Sequence, residues 1–207
     1  MTTVAVIGDG QMGLVLADAL VCRGVNVRLW GPFQESVKQL CSTRKSPRLS
    51  EFTLDESVEV TGDGAVALNE IDIAVNAIPT QFIRKVWSAI ASDLPRNVPV
   101  GCVAKGIELE THLLPTQIIE EAIGEGHSTC VLSGPTIATE LVRRQPAVMV
   151  SSSSDESVAV QMQDLFDVPW IRIYTHGDPL GVELAGALKN VIAIAAGICD
   201  GMQLGDN

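Results

Sequence analysis

Lys189 is the residue that most invites a chemical role. It is the only charged residue between Leu184 and Cys199, within the stretch LGVELAGALKNVIAIAAGICD from Leu180 to Asp200. Asp178-Pro179 supplies a helix-start signal ahead of it. Placed at 100° steps around a helix, Leu184, Val191, Ile194 and Ile198 fall opposite the lysine, while Ala185, Gly186, Ala193 and Ala196 fall beside it. Small neighbours clear space around the amine, so Lys189 reads as a candidate base rather than a surface charge. The competing reading is a lysine that only snorkels from a core helix. A lysine that works as a base near neutral pH must be held below its usual ~10.4, by burial or by a second ammonium.

The other end of the chain carries Gly8-Asp9-Gly10-Gln11-Met12-Gly13, a GxGxxG between the apolar run Thr3–Ile7 and an apolar-periodic helix ending at Arg23-Gly24. Val25–Trp30 then reads as a second strand, and this βαβ context makes the motif specific. Gly8 permits the tight turn, Gly10 admits a pyrophosphate, and Gly13 lets helix and strand pack closely. The pyrophosphate would sit on the helix N-terminus, where free N–H groups and the dipole favour anions. The acidic residue that binds an adenosine ribose at the end of the second strand is missing. Trp30-Gly31-Pro32-Phe33 stands there, Glu35 comes late, and Lys38, Arg44 and Lys45 follow nearby. NAD and NADP both remain open.

These residues need elements to position them. Helices are expected over Phe33–Arg44, Gln81–Leu94, Thr111–Ile123, Ser133–Val142 and Asp155–Phe166. Strands are expected over Val58–Thr61, Ile71–Ile78, Val98–Ala104, Thr129–Leu132, Pro146–Ser151 and Trp170–Tyr174. The alternation implies an α/β fold, a doubly wound Rossmann-type, mostly parallel sheet with right-handed crossovers. Ligands bind such sheets outside the carboxyl ends of the strands. The residues expected there are Gly8–Gly13, Trp30–Phe33, Pro79–Phe82, Lys105-Gly106 and Ser133-Gly134-Pro135-Thr136. Lys105 could equally be the first solvated residue after a strand, and Thr136 an N-cap.

The chain has 207 residues, 46% of them hydrophobic, and a formal net charge of −11. No basic patch could dominate that field, so nucleic acid and anionic membrane surfaces are excluded as partners. Val4–Ile7 is too short for a signal peptide. The apolar run around Lys189-Asn190 falls short of the ~17–25 residues of a membrane span. Cys22, Cys41, Cys102, Cys130 and Cys199 are odd in number and never paired as CxxC. They are expected as reduced, mostly buried thiols of a cytoplasmic protein. His112, His127 and His176 are isolated, and no metal site is expected.

The glycine loop, Pro79-Thr80-Gln81-Phe82, Val103-Ala104-Lys105-Gly106-Ile107-Glu108, Ser133-Gly134-Pro135-Thr136-Ile137-Ala138-Thr139-Glu140, and Glu183-Leu184-Ala185-Gly186-Ala187-Leu188-Lys189-Asn190-Val191 through Gly205-Asp206-Asn207 together resemble the NAD(P)-dependent glycerol-3-phosphate dehydrogenases. The resemblance runs the whole length in order. It implies a cytoplasmic oxidoreductase that interconverts sn-glycerol 3-phosphate and dihydroxyacetone phosphate with NAD or NADP, supplying glycerophospholipid precursors. Lys189 would be the general base and touch the substrate, and Asn190 would steady the reacting groups. Lys105 would touch substrate and cofactor, and Gly134 and Thr136 the substrate. Gly8, Gly10, Gln11, Met12, Gly13, Phe33, Phe82 and Ala138 would meet the cofactor. Two departures stand out. Gln11-Met12 replaces the family's Ser or Thr followed by an aromatic residue, and the chain stops where the family continues into an all-helical substrate domain. The expected division is therefore 1–178, a dinucleotide-binding domain, and 179–207, the first helical segment of a truncated all-helical domain. Weak or no activity, an exposed apolar helix face and homodimer formation would follow. Two other readings compete: a non-catalytic nucleotide-binding module, and a relative of the β-hydroxyacid dehydrogenases. The latter usually carry Asn four residues after the lysine, where this chain has Ala193.

Overall fold

The computed structural model describes residues 1–205. Asp206 and Asn207, which close the last motif of the resemblance, lie outside the described residues. Eight strands form one sheet: β1 (Thr3–Ile7), β2 (Asn26–Trp30), β3 (Glu59–Thr61), β4 (Ile73–Asn76), β5 (Val100–Cys102), β6 (Thr129–Ser133), β7 (Ala147–Ser152) and β8 (Ile171–His176). Their order is β3-β2-β1-β4-β5-β6-β7-β8, parallel throughout except that β7 runs antiparallel to β6. The helices are α1 (Gln11–Cys22), α2 (Gln34–Thr43), α3 (Gly64–Leu68), α4 (Thr80–Ile90), α5 (Pro115–Ile123), α6 (Ala138–Val142), α7 (Glu156–Phe166) and α8 (Pro179–Gly201).

The central strands are apolar on both faces because helices cover both faces. Val4, Val6, Leu29, Ile73 and Val75 pack on one side with residues of α1 and α7. Ala5, Ile7, Ala74 and Val100 pack on the other with α4 and α5. Trp87 of α4 is fully buried there, and its indole N–H donates to Asn76 Oδ1 at 2.9 Å. That bond lets a large ring be buried without an orphaned donor.

Three expectations change. The short helix α3 was not anticipated. The helix expected from Thr111 begins only at Pro115, because His112 takes a left-handed φ of 59° that no helix interior tolerates. The helix expected from Ser133 begins at Ala138. A Cβ on Gly134 would lie 2.2 Å from the Val148 carbonyl oxygen, so this segment presses flat against β7 first. The cysteines also divide differently. Cys22, Cys41 and Cys199 are exposed, and only Cys102 and Cys130 are buried. Burial pushes the Cys102 thiol up to about 12 and that of Cys130 to about 11, which keeps both unreactive.

Helix α8 starts as its sequence predicts, with Asp178 accepting from the Gly181 N–H at 2.9 Å and Pro179 in the first turn. Glu183, buried, accepts from the Thr116 N–H and from Thr116 Oγ at 2.9 and 2.6 Å, which ties α8 to α5. From Leu188 to Gly201 every residue is exposed. Its 23 residues make it long and apolar enough to cross a membrane by length and composition alone, which corrects the expectation that this run falls short of a span. The polar pair Lys189-Asn190 sits at its centre.

Candidate active site

The glycine loop lies between β1 and β4, where the strand order reverses, the usual crevice of a doubly wound sheet. Its three glycines do different work. Gly8 has a φ of 124°, and a Cβ there would lie 2.9 Å from the Ala77 backbone. A Cβ on Gly13 would fall 1.8 Å from the Gly8 carbonyl oxygen, so this glycine lets α1 pack on the loop. A Cβ on Gly10 would meet nothing within 4 Å. Gly10 is also the N-cap of α1, with no side chain capping the helix. The open approach and the uncapped N–H groups leave room for an anion such as a pyrophosphate.

Next to the loop, after β2, is a cavity of about 580 Å³ lined by residues that include Phe33, Glu35, Ser36, Ser46 and Arg48. Phe33 is 59% exposed, and the Arg48 guanidinium lies 5.9 Å from its ring centroid. Gln11 donates from Nε2 to the Arg48 carbonyl at 2.5 Å, which ties the start of α1 to this loop. Met12 packs against the core instead of standing free. Behind the cavity wall, Asp9 is buried and accepts from Arg48 Nη1 at 3.2 Å and from Ser36 Oγ. Sequence reasoning missed Asp9, Ser36 and Arg48 as a group. Its only signal was an acid placed inside the glycine motif.

The second cluster gathers Lys105, Gly134 and Thr136. Lys105, half-buried after β5, donates from Nζ to the Gly134 carbonyl at 2.6 Å and to Thr136 Oγ at 3.5 Å. Its own carbonyl accepts from Thr80 Oγ at 2.9 Å, which fixes the turn at Gly106. Thr136 caps no helix; its hydroxyl belongs to the Lys105 cluster. Helix α8 passes directly over it, since a Cβ on Gly186 would lie 2.8 Å from Ser133 Oγ and 3.8 Å from Lys105 Cγ. Lys189 follows one turn later. The Lys105 amine is held below the usual lysine range, first by burial and then by the Lys189 charge. The two amines are thus on one edge of the sheet, close enough to interact. Lys189 and Asn190 are nevertheless exposed, contrary to the expectation of a buried amine. The reason is that α8 touches the sheet only through its first two turns. Phe82 is 59% exposed at the start of α4, whereas Ala138 is buried in the core, so its methyl serves packing. Among the described residues no group of His, Cys, Asp or Glu could hold a metal ion.

Comparisons with known proteins agree over the whole length. A family model described as NAD-dependent glycerol-3-phosphate dehydrogenase N-terminus matches residues 3–159, and the corresponding C-terminus model matches residues 178–207. A glycerol-3-phosphate dehydrogenase [NAD(P)+] of Staphylococcus haemolyticus is 42% identical over 100% of this chain and 63% of its own length. That of Koribacter versatilis is 40% identical over the same shares. The crystal structure of the Coxiella burnetii glycerol-3-phosphate dehydrogenase superposes with a TM-score of 0.88 at 26% identity, covering 100% of this chain and 63% of that one. The chain thus spans 63% of the length of the curated relatives it matches.

Proposed function

The chain belongs to the NAD-dependent glycerol-3-phosphate dehydrogenase family, and on that premise we propose that it serves the interconversion of sn-glycerol 3-phosphate and dihydroxyacetone phosphate with NAD or NADP. The observation that carries this reading is the Lys105 cluster. A half-buried ammonium is aimed at Gly134 and Thr136, feels the Lys189 charge, and lies on the same sheet edge as the Gly8–Gly13 loop. Two ammonium groups that repel one another form a receptor for a phosphate-bearing substrate, because an anion between them relieves the repulsion.

The nicotinamide, when bound, supplies the hydride acceptor. The protein groups do the rest. Lys189 takes the proton from the C2 hydroxyl during oxidation and returns it to the C2 oxygen during reduction. Asn190, its neighbour, steadies the reacting groups. Lys105, with Gly134 and Thr136, holds the substrate and fixes its distance from the cofactor, the alignment such a transfer demands. Gly8, Gly10 and Gly13 hold the pyrophosphate, and Gln11, Phe33 and Phe82 complete the cofactor's surroundings, whereas the side chains of Met12 and Ala138 pack against the core. A boundary after residue 178 separates the dinucleotide-binding domain from the helical segment 179–207, as the break between β8 and α8 suggests. Five free cysteines, three of them exposed, suit a reducing cytoplasmic setting. No specific observation favours the β-hydroxyacid dehydrogenase reading.

The test is direct. NADH and NADPH are titrated by fluorescence, and oxidation of each is followed with dihydroxyacetone phosphate. In a full-length enzyme, Lys189→Met is expected to keep dinucleotide binding and to lose turnover. A protein that binds neither dinucleotide would sink the reading as a whole, whereas unchanged turnover in Lys189→Met would remove only the lysine's role.

A further inference from the structure

We propose that Asp9 sets the choice between the two dinucleotides, making the adenosine end of the site select an unphosphorylated ribose; this rests on the dinucleotide reading above. The acid expected at the end of β2 is absent, and Gly31 stands beside its place. That glycine makes room: a Cβ on Gly31 would lie 2.8 Å from Asp9 Cγ. The carboxylate therefore reaches the end of β2 from the neighbouring β1 loop. It is a substitution of source, with the acid arriving from one strand over.

Charge then decides what the cavity accepts. A 2′-phosphate adds about −1.5 to −2 charges at neutral pH. Arg48 is the cation lining the cavity, and its Nη1 is already committed to Asp9 at 3.2 Å. Glu35 lines the same cavity with a second negative charge. Arg44, which follows nearby in sequence, donates to the carbonyls of Val58 and Glu56, at 2.8 and 3.1 Å. A phosphate here would face the Glu35 carboxylate beside a guanidinium that buried Asp9 already neutralises. A ribose hydroxyl meets no such opposition. Asp9 is 2% exposed and does not line the cavity, so it acts on the adenosine end through Arg48 rather than by touching the sugar.

The experiment measures dissociation constants by isothermal titration, so it needs no turnover. The ligands are NADH, NADPH, adenosine 5′-diphosphate and its 2′-phosphorylated counterpart; the last two read the adenosine end alone. The unaltered chain is expected to prefer NADH and the unphosphorylated nucleotide by at least tenfold. Asp9→Asn frees Arg48 and is expected to reduce that preference tenfold or more, chiefly by tightening the 2′-phosphorylated ligands. Adding Arg48→Ala to Asp9→Asn is expected to abolish that gain. Equal or tighter binding of NADPH by the unaltered chain overturns the proposal without any variant. An Asp9→Asn protein that melts normally and keeps the original preference overturns it too. If the unaltered chain binds none of the four ligands, the dinucleotide reading itself fails, and the proposal with it.

Discussion

The Lys105 ammonium donates to the Gly134 carbonyl at 2.6 Å, while the charge of Lys189 on the adjoining helix opposes its protonation. Burial adds to that opposition, so the folded pKa lies below the reference 10.5. Between the lowered value and 10.5 the unfolded chain binds more protons than the folded one. Stability therefore rises with pH across that window, and the penalty is fully present below it. Binding of glycerol 3-phosphate should weaken as pH rises through the same lowered value. NMR of isotopically labelled lysine checks this, and a Lys105 midpoint at or above 10.5 would contradict it. Lys105→Met should weaken glycerol 3-phosphate about tenfold to a hundredfold, the value of a charged hydrogen bond of roughly 1.5–3 kcal/mol.

Gly10 and Gly13 make a matched pair of tests. A methyl on Gly10 points into open space, whereas a methyl on Gly13 would lie 1.8 Å from the Gly8 carbonyl oxygen. Gly10→Ala should fold with a loss of no more than about 1 kcal/mol, the cost of a poorer N-cap, yet lose dinucleotide affinity at least about tenfold (roughly 1.4 kcal/mol). Gly13→Ala should cost about 1–3 kcal/mol or more, because backbone must move. Thermal unfolding together with NADH titration separates the two. If both variants melt alike and bind alike, the division of labour within the loop is wrong.

The contrast between loop and lysines also shows what the sequence could reveal. Parallel strands covered on both faces are continuous apolar runs, and the Gly8–Gly13 loop follows one within a local βαβ unit, so both were legible. Lys105, Gly134 and Thr136 could each be placed at a strand end. Their meeting depends on β5 and β6 being neighbours, which no periodicity encodes. Asp9 and Arg48 are 39 residues apart, and Arg48 sits in a single 3-10 turn, Pro47–Leu49, whose placement beside the glycine loop no periodicity encodes. The helical wheel at Lys189 gave the right faces but not what each face meets, and so missed the lysine's exposure. Left-handed His112 and the tight packing of Gly134 likewise moved two helix starts by tertiary demands.

Glu183 anchors α8 through Thr116, and its behaviour with pH should show it. Burial raises its pKa above the reference 4.5, partly offset by the two Thr116 hydrogen bonds. Between 4.5 and the raised value the folded chain binds more protons than the unfolded one. Stability should therefore fall as pH rises through that window, with the cost fully present above it. Urea unfolding of the unaltered chain and of Glu183→Gln at pH 5 and pH 7.5 is the check. The glutamine keeps an acceptor and should flatten the dependence. Thr116→Val, which strips a buried carboxylate of one partner, should cost about 1–3 kcal/mol. An unaltered pH dependence in Glu183→Gln would assign the effect elsewhere.

The outer part of α8 leads to the last prediction. Val191, Ile194 and Ile198 are 63%, 65% and 55% exposed, and Leu184 upstream is 36% exposed on the same face. Full burial of such a side chain yields about 1.5–3 kcal/mol, and contiguous exposed apolar surface of this kind drives association. A polypeptide of these 207 residues should therefore self-associate, with a homodimer as the first species. Light scattering over a range of concentrations measures it. Val191→Glu combined with Ile194→Glu should return the protein to a monomer without lowering its melting temperature by more than a few degrees, since neither side chain is buried in the fold. A clean monomer for the unaltered chain at tens of micromolar would show that this face does not drive association.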